Sequence, residues 1–167
     1  MSFNEAVEFE RINEVTKAAE CYERVLNECP KDLGAFINLL VLYWQSTDYG
    51  FSLSSRLPAS FVLVAGNRLA EMLGDMPSNF SGEPEFNFWV KYIAWADLGG
   101  HFEVEECYEM MRRKSGYYEP AMFIYAATAG EQAVSEVDKL LELVRSQSTA
   151  RERYIYSVVM GVKKRLS

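Results

Sequence analysis

The sequence predicts an all-α fold built from antiparallel helical hairpins. Apolar residues recur three and four positions apart within residues 18–26 and again within residues 36–43, which is the spacing of one helix face. Pro30 lies between these two stretches and cannot continue the first helix. Asp32 is a suitable N-cap for the second helix. A helix, a proline stop and a second helix in this order indicate the end of one hairpin and the start of the next.

The same apolar spacing returns at fixed distances along the chain. Tyr43 follows Phe9 by 34 residues, and residues 65–77 repeat the spacing of residues 18–30 after 47 residues, which is 34 plus an insertion of 13. A 34-residue unit of helix, turn and helix with these small and aromatic positions resembles the tetratricopeptide repeat. The resemblance implies a right-handed superhelix of eight to nine helices, closed by a C-terminal capping helix.

Capping residues and prolines predict where several helices begin. Ser2 and Glu5 have the spacing of a capping box at the first helix. Pro84 and Pro120 open the apolar stretches of the third and fourth hairpins, and proline is favoured in the first helical turn.

We predict one domain that contains four hairpin units. The stretch after the third helix is rich in serine, glycine and aromatic residues, and we expect it to form an inserted loop. The predicted units cover residues 1–31, 32–77 with the inserted loop at 45–57, 84–116 and 119–146, and the capping helix covers 150–165, within a single domain at 1–167.

The charge distribution favours a protein partner over nucleic acid or an anionic membrane. The net charge is −7, and residues 71–109 carry −8 whereas residues 145–167 carry +5. An acidic body repels polyanions and attracts basic proteins or peptides. The chain has no apolar leader and no apolar run long enough to cross a bilayer, so we expect a cytoplasmic protein. We also expect a monomer or a weak homodimer.

The sequence does not predict an enzyme. It has no nucleophile elbow, phosphate loop, zinc-protease or EF-hand motif. With one histidine and no CxxC pair, we expect neither a metal site nor a cofactor. The alternative is a hydrolase that uses His101, Glu105 and Cys107. We expect instead that His101 packs between two helices and that Cys107 is a small buried residue.

The resemblance places a concave groove along the first helix of each unit. Only Asn38 fits the carboxylate clamp of co-chaperones in this family, because Phe3, Phe86 and Val90 stand where basic residues are expected. Such an apolar groove either binds a helix or extended peptide of a partner, or is filled by the inserted loop or the C-terminal helix of the chain itself. The predicted groove residues are Phe3, Val7, Ile37, Asn38, Val41, Trp44, Phe86, Trp89, Val90, Ile93 and Phe123.

A cluster of acidic residues is the second candidate surface. It either forms a solvated helix face or receives a basic partner. We therefore predict a non-enzymatic protein–protein interaction module that acts as an adaptor, a chaperone or an inhibitor. The alternative is a small acidic immunity-type protein that neutralises a basic toxin or nuclease. The acidic residues are Asp97, Glu103, Glu105, Glu106 and Glu109.

Overall fold

The computed structural model describes residues 1–74 and 80–167 and shows an all-α protein, as the sequence predicts. Within these residues the chain forms ten helices and no strand. The predicted helix stop at Pro77 lies outside the described residues. The helices are α1 (Phe3–Arg11), α2 (Val15–Glu28), α3 (Leu33–Ser46), α4 (Tyr49–Ser54), α5 (Ala59–Gly74), α6 (Pro84–Asp97), α7 (Val104–Arg113), α8 (Pro120–Ala127), α9 (Val134–Leu143) and α10 (Ala150–Leu166).

The predicted helix starts at four of these elements are confirmed. The Ser2 hydroxyl accepts a hydrogen bond from the backbone N–H of Glu5, and the Glu5 carboxylate accepts one from the backbone N–H of Ser2. The Asp32 carboxylate caps α3 by accepting from the backbone N–H three residues later, at 2.9 Å. Pro84 and Pro120 stand in the first turns of α6 and α8.

The prediction of a loop over residues 45–57 was wrong. α3 continues to Ser46, and residues Tyr49–Ser54 form the short helix α4. Asp48 caps α4, because its carboxylate accepts a hydrogen bond from the backbone N–H of Phe51 at 2.8 Å. The serine and glycine content favoured a loop, but an aspartate at the N-cap stabilises a helix start in the same stretch.

The chain divides into two compact units. Unit 1 comprises Met1–Gly82 and Ser148–Arg151, and unit 2 comprises Glu83–Gln147 and Glu152–Ser167. In unit 1, α1, α2, α3 and α5 pack each on the next, and in unit 2 the same holds for α6, α7, α8 and α9. A division into compact units does not decide whether they fold together, so the single domain stays a prediction.

A buried hydrogen-bond network organises unit 1 around the carboxylate of Glu10. This carboxylate is almost fully buried, and it accepts hydrogen bonds from the hydroxyl of Tyr22 at 2.7 Å and from the backbone N–H of Ala150 at 2.5 Å. The Tyr22 hydroxyl accepts in turn from the side-chain amide of Asn38 at 3.2 Å. The Asn38 carbonyl oxygen accepts from Nε of Arg151 at 2.7 Å. Burial and the charge of Glu10 raise the pKa of Tyr22, so this phenol stays protonated and donates.

Unit 2 is held by aromatic side chains and by a second buried carboxylate. Glu119 accepts hydrogen bonds from Nε1 of Trp89 at 2.6 Å and from the hydroxyl of Tyr117 at 3.3 Å. The hydroxyls of Tyr92 and Tyr154 are 2.8 Å apart, which joins α6 to α10 within this unit. Burial is the main cause of the raised pKa of both tyrosines. Each unit therefore combines apolar packing with a buried carboxylate whose hydrogen-bond donors lie in the same unit.

We expect Tyr22→Phe to destabilise the protein by about 1–3 kcal/mol. The substitution keeps the ring but removes one donor to Glu10 and the acceptor used by Asn38. The measurement is the free energy of unfolding from a urea titration followed by circular dichroism. The matched control is Tyr49→Phe, since Tyr49 is 79% exposed and its change is expected to stay within about 0.5 kcal/mol. Equal effects of the two substitutions would show that the network adds nothing to stability.

Candidate functional site

The structure places most of the predicted groove side chains in the core of their unit. In unit 1, Asn38 is hydrogen-bonded by Arg151, and in unit 2 the rings of Trp89 and Tyr154 lie 6.3 Å apart. Arg151 and Tyr154 both belong to α10, so within each unit a residue of the C-terminal helix contacts a predicted groove residue. Whether a partner also contacts them stays a prediction. The buried groove residues are Ile37, Asn38, Val41, Trp44, Phe86, Trp89, Ile93 and Phe123, and the partly exposed ones are Phe3, Val7 and Val90.

The expectation that His101 packs between helices was wrong. The side chain of His101 is 83% exposed, and its Nε2 lies 2.7 Å from a carboxylate oxygen of Glu103. The next residue, Phe102, is buried and packs against Phe88 and Phe123. The packing expected of His101 is therefore made by Phe102, one position later.

The residues of the hydrolase alternative do not share one arrangement. His101 pairs with Glu103, whereas Glu105 is exposed on α7. Cys107 is fully buried, as expected, and burial followed by the charge of Glu106 raises the pKa of its thiol. A buried, protonated thiol is a poor nucleophile, because the thiolate is the reactive form.

The predicted acidic residues lie in unit 2 and are partly neutralised by the chain itself. Glu106 forms an ion pair with Lys91, which joins α7 to α6, and it also accepts a hydrogen bond from the backbone N–H of Glu103 at 3.0 Å. The hydrogen bond from Lys91 is the main cause of the lowered pKa of Glu106. Glu109 forms an ion pair with Arg112 at 2.7 Å.

Three of these acidic residues border an open groove of about 580 Å³ between α6 and α7, which we call the α6–α7 groove. Its polar wall carries both signs of charge, and the two apolar residues that line it, Met110 and Pro84, are largely buried. The basic residues of this wall were not among the predicted site residues, although Lys91 is the one lysine or arginine in residues 71–109. The lining residues are Pro84, Asn87, Lys91, Glu105, Glu106, Glu109, Met110, Arg112 and Arg113.

A second open groove, of about 500 Å³, lies between α2 and α5 in unit 1. Both carboxylate oxygens of Glu23 accept hydrogen bonds from the guanidinium of Arg68, at 2.8 and 3.1 Å. The hydroxyl of Tyr43 donates to the same carboxylate at 2.9 Å. Burial and the charge of Glu23 raise the pKa of Tyr43, and the hydrogen bond from Arg68 to Glu23 raises the pKa of the guanidinium. The arrangement is an ion pair that connects two helices and shows no reactive group.

Comparison of the chain with protein-family models, with curated proteins and with solved structures found no match. In the described part of the chain, no group of three or more histidine, cysteine or acidic side chains is arranged to hold a metal ion. None of the helices in residues 1–74 and 80–167 is both long and apolar enough to pass through a bilayer.

Thiol labelling measures the accessibility of the three cysteines. We expect one fast-reacting thiol per folded chain, because Cys29 is exposed whereas Cys21 and Cys107 are buried with raised pKa values. The measurement is the time course of colour release from Ellman's reagent at neutral pH, with and without denaturant. Cys29→Ser should remove the fast phase and leave the slow one. If a fast-reacting thiol remains in this variant and labelling maps to Cys107, the result would support a nucleophile role for Cys107.

The ion pair at Glu106 predicts an acid-dependent loss of stability. Its pKa is lowered in the folded protein, so its contribution is fully present above the ordinary value of 4.5 and is lost as the pH falls through the lowered folded-state value. We expect the free energy of unfolding to fall more between neutral and acid pH in the natural protein than in Glu106→Gln. Glu131→Gln, which changes an exposed carboxylate, is the control and should follow the natural protein.

Proposed function

We propose that the chain is a non-enzymatic protein-binding module that receives a basic segment of its partner in the α6–α7 groove. The observation that supports this most directly is the contrast between the two predicted surfaces. The apolar groove positions are mostly buried, whereas Glu105, Glu106 and Glu109 border an open groove in unit 2. An accessible acidic wall suits a basic peptide segment.

The internal ion pairs of the groove do not prevent such binding. Glu109 and Arg112 are both more than half exposed, and exposed pairs of this kind contribute about 0–1 kcal/mol to stability. A lysine or arginine of the partner can therefore replace Arg112 as the partner of Glu109 at little cost. The basic residues already present fix the directions in which the carboxylates point, which favours selective over diffuse attraction.

We also propose that the hairpins are arranged as in TPR proteins and that the chain has no catalytic activity. Neighbour-to-neighbour packing of α1, α2, α3 and α5, and of α6 to α9, is what stacked helical hairpins require. Cys107 is buried and His101 is exposed, so these two residues do not form a pair of nucleophile and base. Three free cysteines, of which Cys29 is exposed, fit the reducing conditions of the cytoplasm.

An immunity-type role is a specific form of this proposal. A basic toxin or nuclease carries a positively charged surface where it contacts its own substrate, and an acidic groove is complementary to such a surface. The excess of acidic over basic residues in 71–109 supports this form.

The test reverses the charge of the groove wall. Glu105→Lys combined with Glu109→Lys should weaken partner binding at least tenfold, or about 1.4 kcal/mol, because a basic segment is then repelled. The matched control combines Glu131→Lys with Glu142→Lys, which makes the same change in net charge on exposed residues of the same unit. Proteins retained from an extract of the source cells are quantified by mass spectrometry at low and high salt.

The expected result is a set of basic proteins that the natural chain and the control retain and that the groove variant loses. Retention should also fall with salt, since the attraction between exposed charges is screened. Equal retention by all three chains would contradict binding in this groove.

A further inference from the structure

The charged residues that line the α6–α7 groove have no net charge between them. Three of these residues are acidic and three are basic. A segment that is basic along its whole length would meet repulsion as well as attraction there, so the order of the charges decides what can bind. The acidic lining residues are Glu105, Glu106 and Glu109, and the basic ones are Lys91, Arg112 and Arg113.

The ion pairs within this wall leave one charge of each sign without a partner. Glu106 and Glu109 are each paired with a basic residue of the wall. Within residues 1–74 and 80–167, neither Glu105 nor Arg113 forms an ion pair, and both side chains are exposed. The groove therefore presents one uncompensated carboxylate and one uncompensated guanidinium to a partner.

These two charges lie at opposite ends of α7. Glu105 is in the first turn of the helix and Arg113 is its last residue. Eight positions at 1.5 Å each separate them by about 12 Å along the helix axis. This distance exceeds the Debye length of about 8 Å at physiological salt, so the two charges do not compensate each other in water. The same order also suits the dipole of α7, which is positive at its N-terminal end and negative at its C-terminal end.

We propose that Arg113 determines the specificity of the α6–α7 groove, which binds an extended segment with a basic residue opposite Glu105 and an acidic residue opposite Arg113. An extended chain advances about 3.3 Å per residue, so the two charged residues of the segment are three or four positions apart. A segment that is basic throughout is attracted at Glu105 but repelled at Arg113. This specificity rests on the proposed function and narrows the partner from any basic segment to one of mixed charge.

The lining of the groove suits an extended segment better than a helix. A partner helix that lies in a groove needs apolar surface on which to pack its apolar face. The two apolar lining residues, Pro84 and Met110, are largely buried and supply little of it. The groove offers charged side chains instead, and charged contacts act mainly by rejecting segments of the wrong charge pattern.

The first experiment determines the charge pattern with a random linear peptide library, displayed on phage and selected on the folded full chain. Enriched peptides should carry a lysine or arginine and an aspartate or glutamate three or four positions apart. Selection on Arg113→Glu should replace the acidic residue of the pattern by a basic one, because the charge opposite it is reversed. Selection on Glu105→Lys should remove the preference for the basic residue.

The matched control for this selection is Arg145→Glu. Arg145 is an exposed arginine of the same unit that does not line the groove, so its reversal makes the same change in net charge and should keep the natural pattern. Enrichment of peptides that are basic throughout overturns the proposal. So does the absence of any enriched pattern, or selection of the same pattern by Arg113→Glu.

The second experiment measures the affinity of one enriched peptide by fluorescence anisotropy. Replacing its acidic residue by lysine should weaken binding to the natural chain about fivefold, the upper range for an exposed ion pair. The altered peptide should bind Arg113→Glu more tightly than it binds the natural chain. Because the first comparison changes only the peptide, it does not depend on how a variant chain folds.

The same measurement separates the role of Arg113 from the proposed function. If Glu105→Lys leaves the affinity for the enriched peptide unchanged, the groove is not the binding site and both proposals are wrong. If Glu105→Lys weakens binding while Arg113→Glu strengthens it, a basic segment binds in the groove and the specificity assigned to Arg113 is wrong.

Discussion

Two buried carboxylates impose the main constraint on this structure. A carboxylate that leaves water loses several kcal/mol of hydration free energy unless hydrogen bonds replace it. Glu10 in unit 1 accepts hydrogen bonds from the hydroxyl of Tyr22 and the backbone N–H of Ala150. Glu119 in unit 2 accepts hydrogen bonds from the side chains of Trp89 and Tyr117. Tyr22 lies on α2 and Trp89 on α6, so Glu10 connects α1 to α2, and Glu119 connects the start of α8 to α6. Burial of apolar side chains stabilises the fold, and the hydrogen bonds that the two carboxylates need restrict how the helices can pack.

The sequence predicts local features of this fold better than distant ones. The caps at Ser2 and Asp32 depend on residues three positions apart, and both are present as expected. The network at Glu10 joins residues 140 positions apart, and no spacing rule reveals it. At His101 the repeat pattern predicts a buried aromatic, but the neighbouring Phe102 fills that place because its larger apolar ring gains more from burial. Repeat matching therefore has an uncertainty of one residue where the turn sequence diverges.

The candidate surfaces could also be predicted only in part from the sequence. The acidic residues are visible in the sequence, but their pairing with Lys91 and Arg112 depends on how α6 and α7 pack and on which rotamers the side chains adopt. The helical spacing of α5 is also visible, yet whether its apolar face is buried depends on its neighbours. α5 exposes Leu63 and Val64, whereas α3 is buried on nearly every side. α3 contains no charged residue, as expected of a helix that is apolar all round, whereas α5 contains Arg68 and Glu71.

The hydrogen bond between Glu10 and Ala150 also bears on how the chain is made. Synthesis runs from the N-terminus, so the helices of residues 1–82 emerge long before residue 150 exists. During that interval unit 1 lacks the donor that one oxygen of Glu10 uses in the finished protein, and it lacks the guanidinium that Asn38 bonds. This part of the network therefore forms only after residues 150 and 151 have been made. The pairing also raises the average sequence separation of native contacts, which slows the final folding step compared with a purely nearest-neighbour stack of hairpins.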